Sequence, residues 1–202
     1  TTSWQRVFCF SGLSQEERDH YSGVVVQLGG EVDGQLIISQ KATHLIVSAP
    51  GRNEKYLTCL ASGRWLLHKS YLDACSRESR WLPEHPYEWG GPGTEPLLVQ
   101  LSPGLSLIGV PGSRPGLRQP APGRDPTANQ LRELARAARY WRQRGGMAFA
   151  NWHVLLGPGC DRETSFRRII EAGQGEVKHR TGSLFVTHLK YSINTLIYFG
   201  IM

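Results

Sequence analysis

Short apolar runs alternate with helix-forming stretches through the first 90 residues of the sequence. The runs predict four strands, VFCF (7–10), EVDG (31–34), THLIVSA (43–49) and RWLLH (64–68). The stretches between them predict helices from Ser14 to about Leu28, over 53–62 and over 70–79, before an extended tail, WLPEHPYEW. The order βαββαβα, with strands apolar at consecutive positions, predicts an α/β fold with a parallel sheet covered on both faces.

Local signals mark where the first two helices begin and end. Ser14 and Glu17 have the spacing of a capping box, and Gly29-Gly30 ends the first helix. The second helix carries an apolar side, and Gly63 follows it in a position typical of a C-cap. That apolar side consists of Tyr56, Leu57, Leu60 and Ala61.

The composition changes after residue 90. Residues 91–126 are rich in Gly and Pro and predict a flexible linker. Residues 127–146 predict a basic linker helix that Thr127 caps, with Leu131, Leu134 and Ala138 on one apolar side. The first 90 residues therefore form one predicted domain, and 147–202 form another.

The opening pattern returns in the last quarter of the chain. WHVLLG (152–157) predicts a strand, 161–174 predicts a helix, and EVKH and LFVTHL are candidate strands. Thr43-His44-Leu45 recurs as Thr187-His188-Leu189. The order βαββ thus occurs twice, and the second copy stops before its second helix.

Charge separates the two halves of the chain. Residues 1–90 hold nine Lys/Arg and ten Asp/Glu, whereas 91–202 hold fourteen and seven. Much of the excess lies in the linker helix, at Arg132, Arg136, Arg139, Arg142 and Arg144. A solvated helix face explains such a run, and so do contacts from Arg132, Arg136 and Arg139 to an acidic partner or nucleic acid.

Several classes of function lack their signals. The four cysteines form no CxxC pair and no metal-binding spacing, and Cys9 and Cys59 fall in apolar runs typical of a core. There is no P-loop and no Rossmann glycine run. Ser11 with Asp19-His20 lacks the strained elbow of a hydrolase. We expect no enzyme, no metal and no cofactor, and the apolar C-terminal tail, interrupted by polar residues, is a poor membrane span.

The corner after the first strand is the candidate site. Ser11-Gly12 fits a simple turn and also fits an anion site. Arg52 and Lys55 flank the start of the second helix, where the positive end of the dipole disfavours cations unless an anion lies between them. A hydroxyl, a glycine N–H and an ammonium are a sufficient donor set for a phosphoserine.

These motifs together resemble a known family. SGL before the first helix, GG after it, THLI, and KYLTCLASGRWLL occur in the order of a BRCT repeat over residues 5–89. RYWR, and then W-x-V followed by IIEAG, extend the resemblance over 139–189 to the tandem BRCT arrangement of DNA-damage-response proteins. The detailed match is to localisation factors of the structural-maintenance-of-chromosomes five/six complex.

The resemblance implies a BRCT fold with a four-stranded parallel sheet, followed by the linker helix and an incomplete second repeat. It implies a phosphate pocket of Ser11, Gly12 and Lys55, with Arg52 contacting the peptide backbone, in a monomeric nuclear adaptor. It also implies a phosphorylated partner, the ubiquitin ligase of post-replication repair, and indirect recruitment of the chromosome-maintenance complex. In this family the second repeat supplies a groove for a peptide side chain, and here that repeat is predicted to be incomplete.

Two other functions remain open. Some BRCT domains hold a DNA 5′ phosphate in the same pocket, and the linker-helix arginines are placed in sequence to follow a nucleic-acid backbone. This alternative predicts strong salt dependence. A phosphate-independent scaffold, in which repeats pack only on each other or on a partner helix, predicts no effect of changing Lys55.

Overall fold

A parallel sheet of four strands forms the centre of the first 90 residues. The computed structural model describes residues 5–101, 128–156 and 162–178. The strand order is β2-β1-β3-β4, and every pairing within the sheet is parallel. The strands are β1 (Val7–Ser11), β2 (Glu31–Val32), β3 (His44–Val47) and β4 (Trp65–Leu67).

Successive residues of β1 belong to opposite faces of the sheet, as the period of a strand requires. Val7 and Cys9 belong to the hydrophobic cluster on one face, and Phe8 and Phe10 belong to the cluster on the other. All four are buried. Both faces are therefore covered, which explains why the strands are apolar at consecutive positions.

Helices cover the two faces as predicted. The face of Phe8 and Phe10 carries α1 (Gln15–Gln27) and α3 (Ser70–Glu78), and the face of Val7 and Cys9 carries α2 (Glu54–Ala61). The predicted capping box of α1 is present, with the Glu17 N–H donating to Ser14 Oγ at 3.1 Å and the Ser14 N–H to Glu17 Oε2 at 2.9 Å. All residues of α2 from Tyr56 to Ala61 are buried, because further helices cover its outer side.

The predicted extended tail, 81–89, contains one 3₁₀ turn, His85–Tyr87, and one antiparallel bridge from Glu88 to Leu67. Trp89 is fully buried, and its indole N–H donates to the Val47 carbonyl at 3.2 Å. The tail is thus fixed to the end of β3.

The first part of the predicted flexible linker is folded. Residues Glu95–Gln100 form α4, and Leu98 is buried. Gly90 has φ +86°, and a Cβ there would lie 2.3 Å from the Ala135 carbonyl oxygen. Gly90 is therefore required by close packing against α5 rather than by flexibility.

The linker helix packs on the first domain. It spans α5 (Ala128–Gln143), and the predicted apolar residues Leu131, Leu134 and Ala138 are all buried. Tyr56 Oη donates to the Leu134 carbonyl at 3.1 Å. Because this hydrogen bond is buried, α2 and α5 share one core with the sheet.

The second repeat begins with a βαβ unit. Strands β5 (His153–Leu155) and β6 (Glu176–Lys178) pair in parallel, with α6 (Glu163–Ala172) between them in sequence. The predicted cap Thr127 and the candidate strand 184–189 lie outside the described residues. Among the described helices, none has the length and apolar character needed to cross a membrane.

Candidate functional site

The candidate site lies where the sheet changes direction. From β1 the chain crosses through α1 to β2 on one side, and from β3 it crosses through α2 to β4 on the other. The two helices lie on opposite faces, so a crevice opens beyond the carboxyl ends of β1 and β3. Such a switch point is the usual ligand position in parallel α/β sheets.

Ser11 and Gly12 form the β1 side of this crevice. Ser11 is the last residue of β1 and pairs with Val47 of β3. Gly12 has φ +66°, and its carbonyl accepts a hydrogen bond from Ser48 Oγ. A Cβ on Gly12 would lie 3.2 Å from that hydroxyl. The left-handed conformation favours glycine and turns the chain sharply toward α1.

Asn53 joins the two sides of the crevice, and the sequence analysis did not assign it to the site. Its side-chain Oδ1 accepts from the Tyr56 N–H at 3.0 Å and so caps α2. The same oxygen lies 3.4 Å from Ser11 Oγ, which donates to it. The signal was present, since Asn is a preferred N-cap residue directly before the first helical turn.

Lys55, in the first turn of α2, reaches back to the sheet. Its Nζ donates to the Gln35 carbonyl at 2.8 Å and to the Phe10 carbonyl at 3.4 Å. Phe10 directly precedes Ser11, so the ammonium lies beside the end of β1. Lys55 is half-buried. An ammonium has three donor positions, and these contacts fix its place at the crevice.

Glu54 lies between Asn53 and Lys55, and its carboxylate is occupied elsewhere. It accepts from Arg168 at 3.0 Å and from Ser165 at 2.5 Å, both on α6. Burial acts to raise the pKa of the Glu54 carboxyl. The contacts with Ser165 and Arg168 lower that pKa by a larger amount, so it is below its usual value. The Glu54 carboxylate thus pairs with residues of the second repeat.

The remaining predicted residues fall in two places. Arg52 is exposed, two residues before α2 begins, and so lies next to the Asn53 cap. Arg132, Arg136 and Arg139 are on α5, where Arg132 pairs with Glu95 and Arg139 contacts Gly90. The structure therefore brings together Ser11, Gly12 and Lys55, with Arg52 adjacent, and places the α5 arginines separately.

The α5 arginines contact carboxylates of this chain. Arg132 Nε lies 2.9 Å from Glu95, and Arg139 donates to the Gly90 carbonyl at 3.3 Å. Arg142 binds both oxygens of Glu88, whose side chain is 1% exposed. Arg136 is exposed. Arg139 and Arg142 thus pair with Glu88 of the first domain, and Arg132 pairs with Glu95 of α4.

Ser11, Asp19 and His20 do not form a hydrolase site. Asp19 accepts from Gln15 on the exposed side of α1, and His20 contacts the ring of Tyr21. The hydroxyl of Ser11 instead faces the Asn53 amide. An amide oxygen is a weak base, so this arrangement does not activate a serine nucleophile.

A cavity of about 510 Å³ opens at the amino ends of the strands, opposite the crevice. It is lined by Arg6, His44, Trp65 and Glu84, among others. Burial lowers the pKa of His44, although Glu84 opposes the shift, so the imidazole is neutral near pH 7. Its Nδ1 lies 2.6 Å from Thr43 Oγ1. His44 is therefore structural. Trp65 is half-buried, with the Arg142 guanidinium 3.7 Å from its ring centroid.

The family comparison agrees with this architecture. The model of the BRCA1 C-terminal (BRCT) domain family matches residues 5–76, which span the sheet, α1, α2 and most of α3. Residues 5–76 are a BRCT domain. BRCT domains are in general interaction modules rather than enzymes, and the Ser11–Lys55 crevice belongs to this BRCT domain.

Curated relatives match the same part of the chain. SMC5-SMC6 complex localization factor protein 1 of Homo sapiens is 34% identical over 89 residues, which are 43% of this chain and 8% of that protein. A BRCT domain-containing protein of Arabidopsis thaliana is 32% identical over 90 residues, 44% of this chain and 7% of that protein. The chain thus spans less than a tenth of these relatives' length.

Solved tandem BRCT structures are similar over more of the chain. The BRCT5-BRCT6 domains of S. pombe Brc1 superpose with a TM-score of 0.49 at 16% identity, over 86% of this chain and 66% of that one. Rad4 BRCT1,2, solved with a Crb2 phosphopeptide, superposes with a TM-score of 0.34 at 10% identity. The superposition covers 90% of this chain and 73% of that one.

Proposed function

We propose that the BRCT domain binds a phosphoserine or phosphothreonine peptide in the crevice between Ser11 and Lys55. The proposal rests on one observation. The Ser11 hydroxyl, the left-handed Gly12 and the Lys55 ammonium lie beside the start of α2, at the switch point of the sheet. A phosphate offers three acceptor oxygens and nearly two negative charges, which match these donors and the helix dipole.

The proposed role is that of a nuclear adaptor in the DNA damage response. The relative's name, SMC5-SMC6 complex localization factor, supports a role in bringing that complex to its sites. The phosphorylated partner is proposed to be the ubiquitin ligase of post-replication repair, and the complex is reached indirectly. Arg52, exposed beside the Asn53 cap, is proposed to contact the peptide backbone beyond the phosphate.

Fluorescence polarisation with a phosphoserine peptide from that ligase and its unphosphorylated twin tests the function. We expect Lys55→Met to weaken binding of the phosphopeptide about 10- to 100-fold, because a charge-assisted hydrogen bond is worth about 1.5–3 kcal/mol. Lys41→Met is the matched control, since it removes the same charge from an exposed position before β3.

Four outcomes contradict the proposal. Equal affinity for the phosphorylated and unphosphorylated peptides shows that the crevice does not recognise phosphate. An equal loss of phosphopeptide affinity in Lys55→Met and Lys41→Met shows the same. Tight, salt-sensitive binding of 5′-phosphorylated DNA without peptide binding identifies the nucleic-acid alternative. No binding of either ligand leaves a phosphate-independent scaffold.

A further inference from the structure

We propose that Ser165 is a phosphorylation site, and that a phosphate there weakens ligand binding at the Ser11–Lys55 crevice. The second half of this inference rests on the proposed phosphopeptide function. Ser165 lies in the first turn of α6, and its hydroxyl donates to Glu54 Oε2 at 2.5 Å. Glu54 directly precedes Lys55 in the chain. A modification of this hydroxyl therefore acts on a carboxylate next to the proposed phosphate ligand.

Solvent reaches Ser165 and its surroundings. Ser165 is half-buried, and the three residues before it, 162–164, are exposed. The side chains of Glu54 and Arg168, which meet beside Ser165, are 28% and 37% exposed. A phosphoryl group on Ser165 Oγ therefore extends toward water and not into the core. The end of a helix also opens more easily than its middle, which gives an enzyme access to the hydroxyl.

The residues around Ser165 suit a protein kinase that selects basic residues. Arg162 precedes the serine by three positions, and Arg168 follows it by three. Such a kinase transfers the γ-phosphoryl group of ATP to Ser165 Oγ, the hydroxyl proton passes to the catalytic base of the kinase, and ADP leaves. The product suits its position, because Arg162 makes no side-chain cap to α6 and the helix dipole stabilises a phosphate in the first turn.

A phosphate on Ser165 reverses the contact that Glu54 makes in the unmodified protein. The hydroxyl donor is lost, and nearly two negative charges take its place beside the carboxylate. Arg168 lies one turn further along α6 and now pairs with Glu54 at 3.0 Å. The larger charge of the phosphate draws this guanidinium away. Glu54 thus loses both partners, and its unpaired charge at the start of α2 opposes the binding of a phosphopeptide.

Phosphorylation of the folded protein tests the site itself. Arginine-directed serine kinases are first screened on a synthetic peptide with the sequence of residues 158–170. We expect a kinase that modifies the peptide also to modify the folded protein, with the phosphate on Ser165 by mass spectrometry and none there in Ser165→Ala. The inference fails if no such kinase modifies the peptide. It also fails if Ser165 of the folded protein stays unmodified by a kinase that accepts the peptide.

Protein with phosphoserine incorporated at position 165 during translation tests the effect on the crevice. We expect it to bind a phosphoserine peptide about tenfold more weakly than the unmodified protein in fluorescence polarisation, because Glu54 is left unpaired. Phosphoserine at position 164, the exposed neighbour, is the matched control and should weaken binding less than about twofold. In a Glu54→Gln background, phosphoserine at position 165 should have no larger effect than this control.

The controls separate this inference from the proposed function. An unchanged affinity, an equal loss from phosphoserine at positions 164 and 165, or a full loss in the Glu54→Gln background overturns the action through Glu54. If the unmodified protein binds the phosphorylated and unphosphorylated peptides equally, the proposed function fails and the effect on the crevice fails with it. Mass spectrometry then still decides whether Ser165 is a phosphorylation site.

Discussion

At the scale of single residues, the candidate site depends on backbone conformation as much as on side-chain chemistry. Gly12 has φ +66°, and its carbonyl accepts from Ser48 Oγ. This conformation turns the chain from β1 into α1 and leaves Ser11 beside the Asn53 cap. A side chain at position 12 would strain the corner and crowd Ser48.

A pair of glycine substitutions tests the corner. Gly12→Ala should lower the free energy of unfolding by about 1 kcal/mol, because an L-residue is disfavoured at positive φ. Gly23→Ala should raise it by about 0.5–1 kcal/mol, since Gly23 lies within α1 and a Cβ there meets nothing within 4 Å. Urea denaturation measures both changes, and the same sign in both variants would contradict this account.

At the same scale, sequence reasoning found some members of the site and missed others. Ser11, Gly12 and Lys55 were predicted because a family motif carries them. Asn53 and Ser48 were not assigned to the candidate site, although Asn53 is the first residue of the predicted helix 53–62 and Asn is a preferred N-cap. Its contact with Ser11 joins residues 42 positions apart, which no local pattern shows.

At the scale of elements, the strands and helices follow closely from the sequence, because burial on both faces leaves long apolar runs. The linker helix was also predicted, but its polar contacts were not. Arg142 binds Glu88 from 54 positions away, so the partner of this arginine is visible only in three dimensions. The basic run on α5 is therefore largely a docking surface for the first domain.

Arginine substitutions on α5 test that docking. Arg142→Met leaves the Glu88 carboxylate, 1% exposed, without its bidentate partner. Unfolding should require about 3–5 kcal/mol less free energy, because a buried charge loses its pair. Arg136→Met, on the exposed side of the same helix, should change it by less than about 0.5 kcal/mol. Equal effects in urea denaturation would show that α5 does not dock through Arg142.

At the scale of the whole molecule, the second repeat contributes to the electrostatics of the proposed phosphate site in the first. Glu54 lies in the first turn of α2, beside the Asn53 cap, where its negative charge opposes phosphate binding. Arg168 and Ser165 of α6 hold its carboxylate. This ion pair therefore joins the two repeats, within the wider packing of α2 on α6.

Arg168→Met tests this coupling. It should weaken phosphopeptide binding about three- to tenfold, because the Glu54 charge is no longer neutralised. The Glu54→Gln, Arg168→Met double variant should recover most of the affinity. Arg167→Met, whose arginine pairs with Glu163, should bind as the wild-type protein does. Polarisation assays that show equal losses for both arginine variants, or no recovery in the double variant, would exclude the coupling.

¹H–¹⁵N NMR of the Gly12 amide, during titration with a phosphoserine peptide and with the same peptide unphosphorylated, tests phosphate binding at the crevice. We expect the Gly12 resonance to shift with the phosphopeptide, in proportion to the bound fraction, and to stay in place with the unphosphorylated peptide. In Lys55→Met the shift should appear only at much higher peptide concentration. A Gly12 resonance that stays in place while resonances elsewhere respond to the phosphopeptide would place the site outside the Ser11–Lys55 crevice.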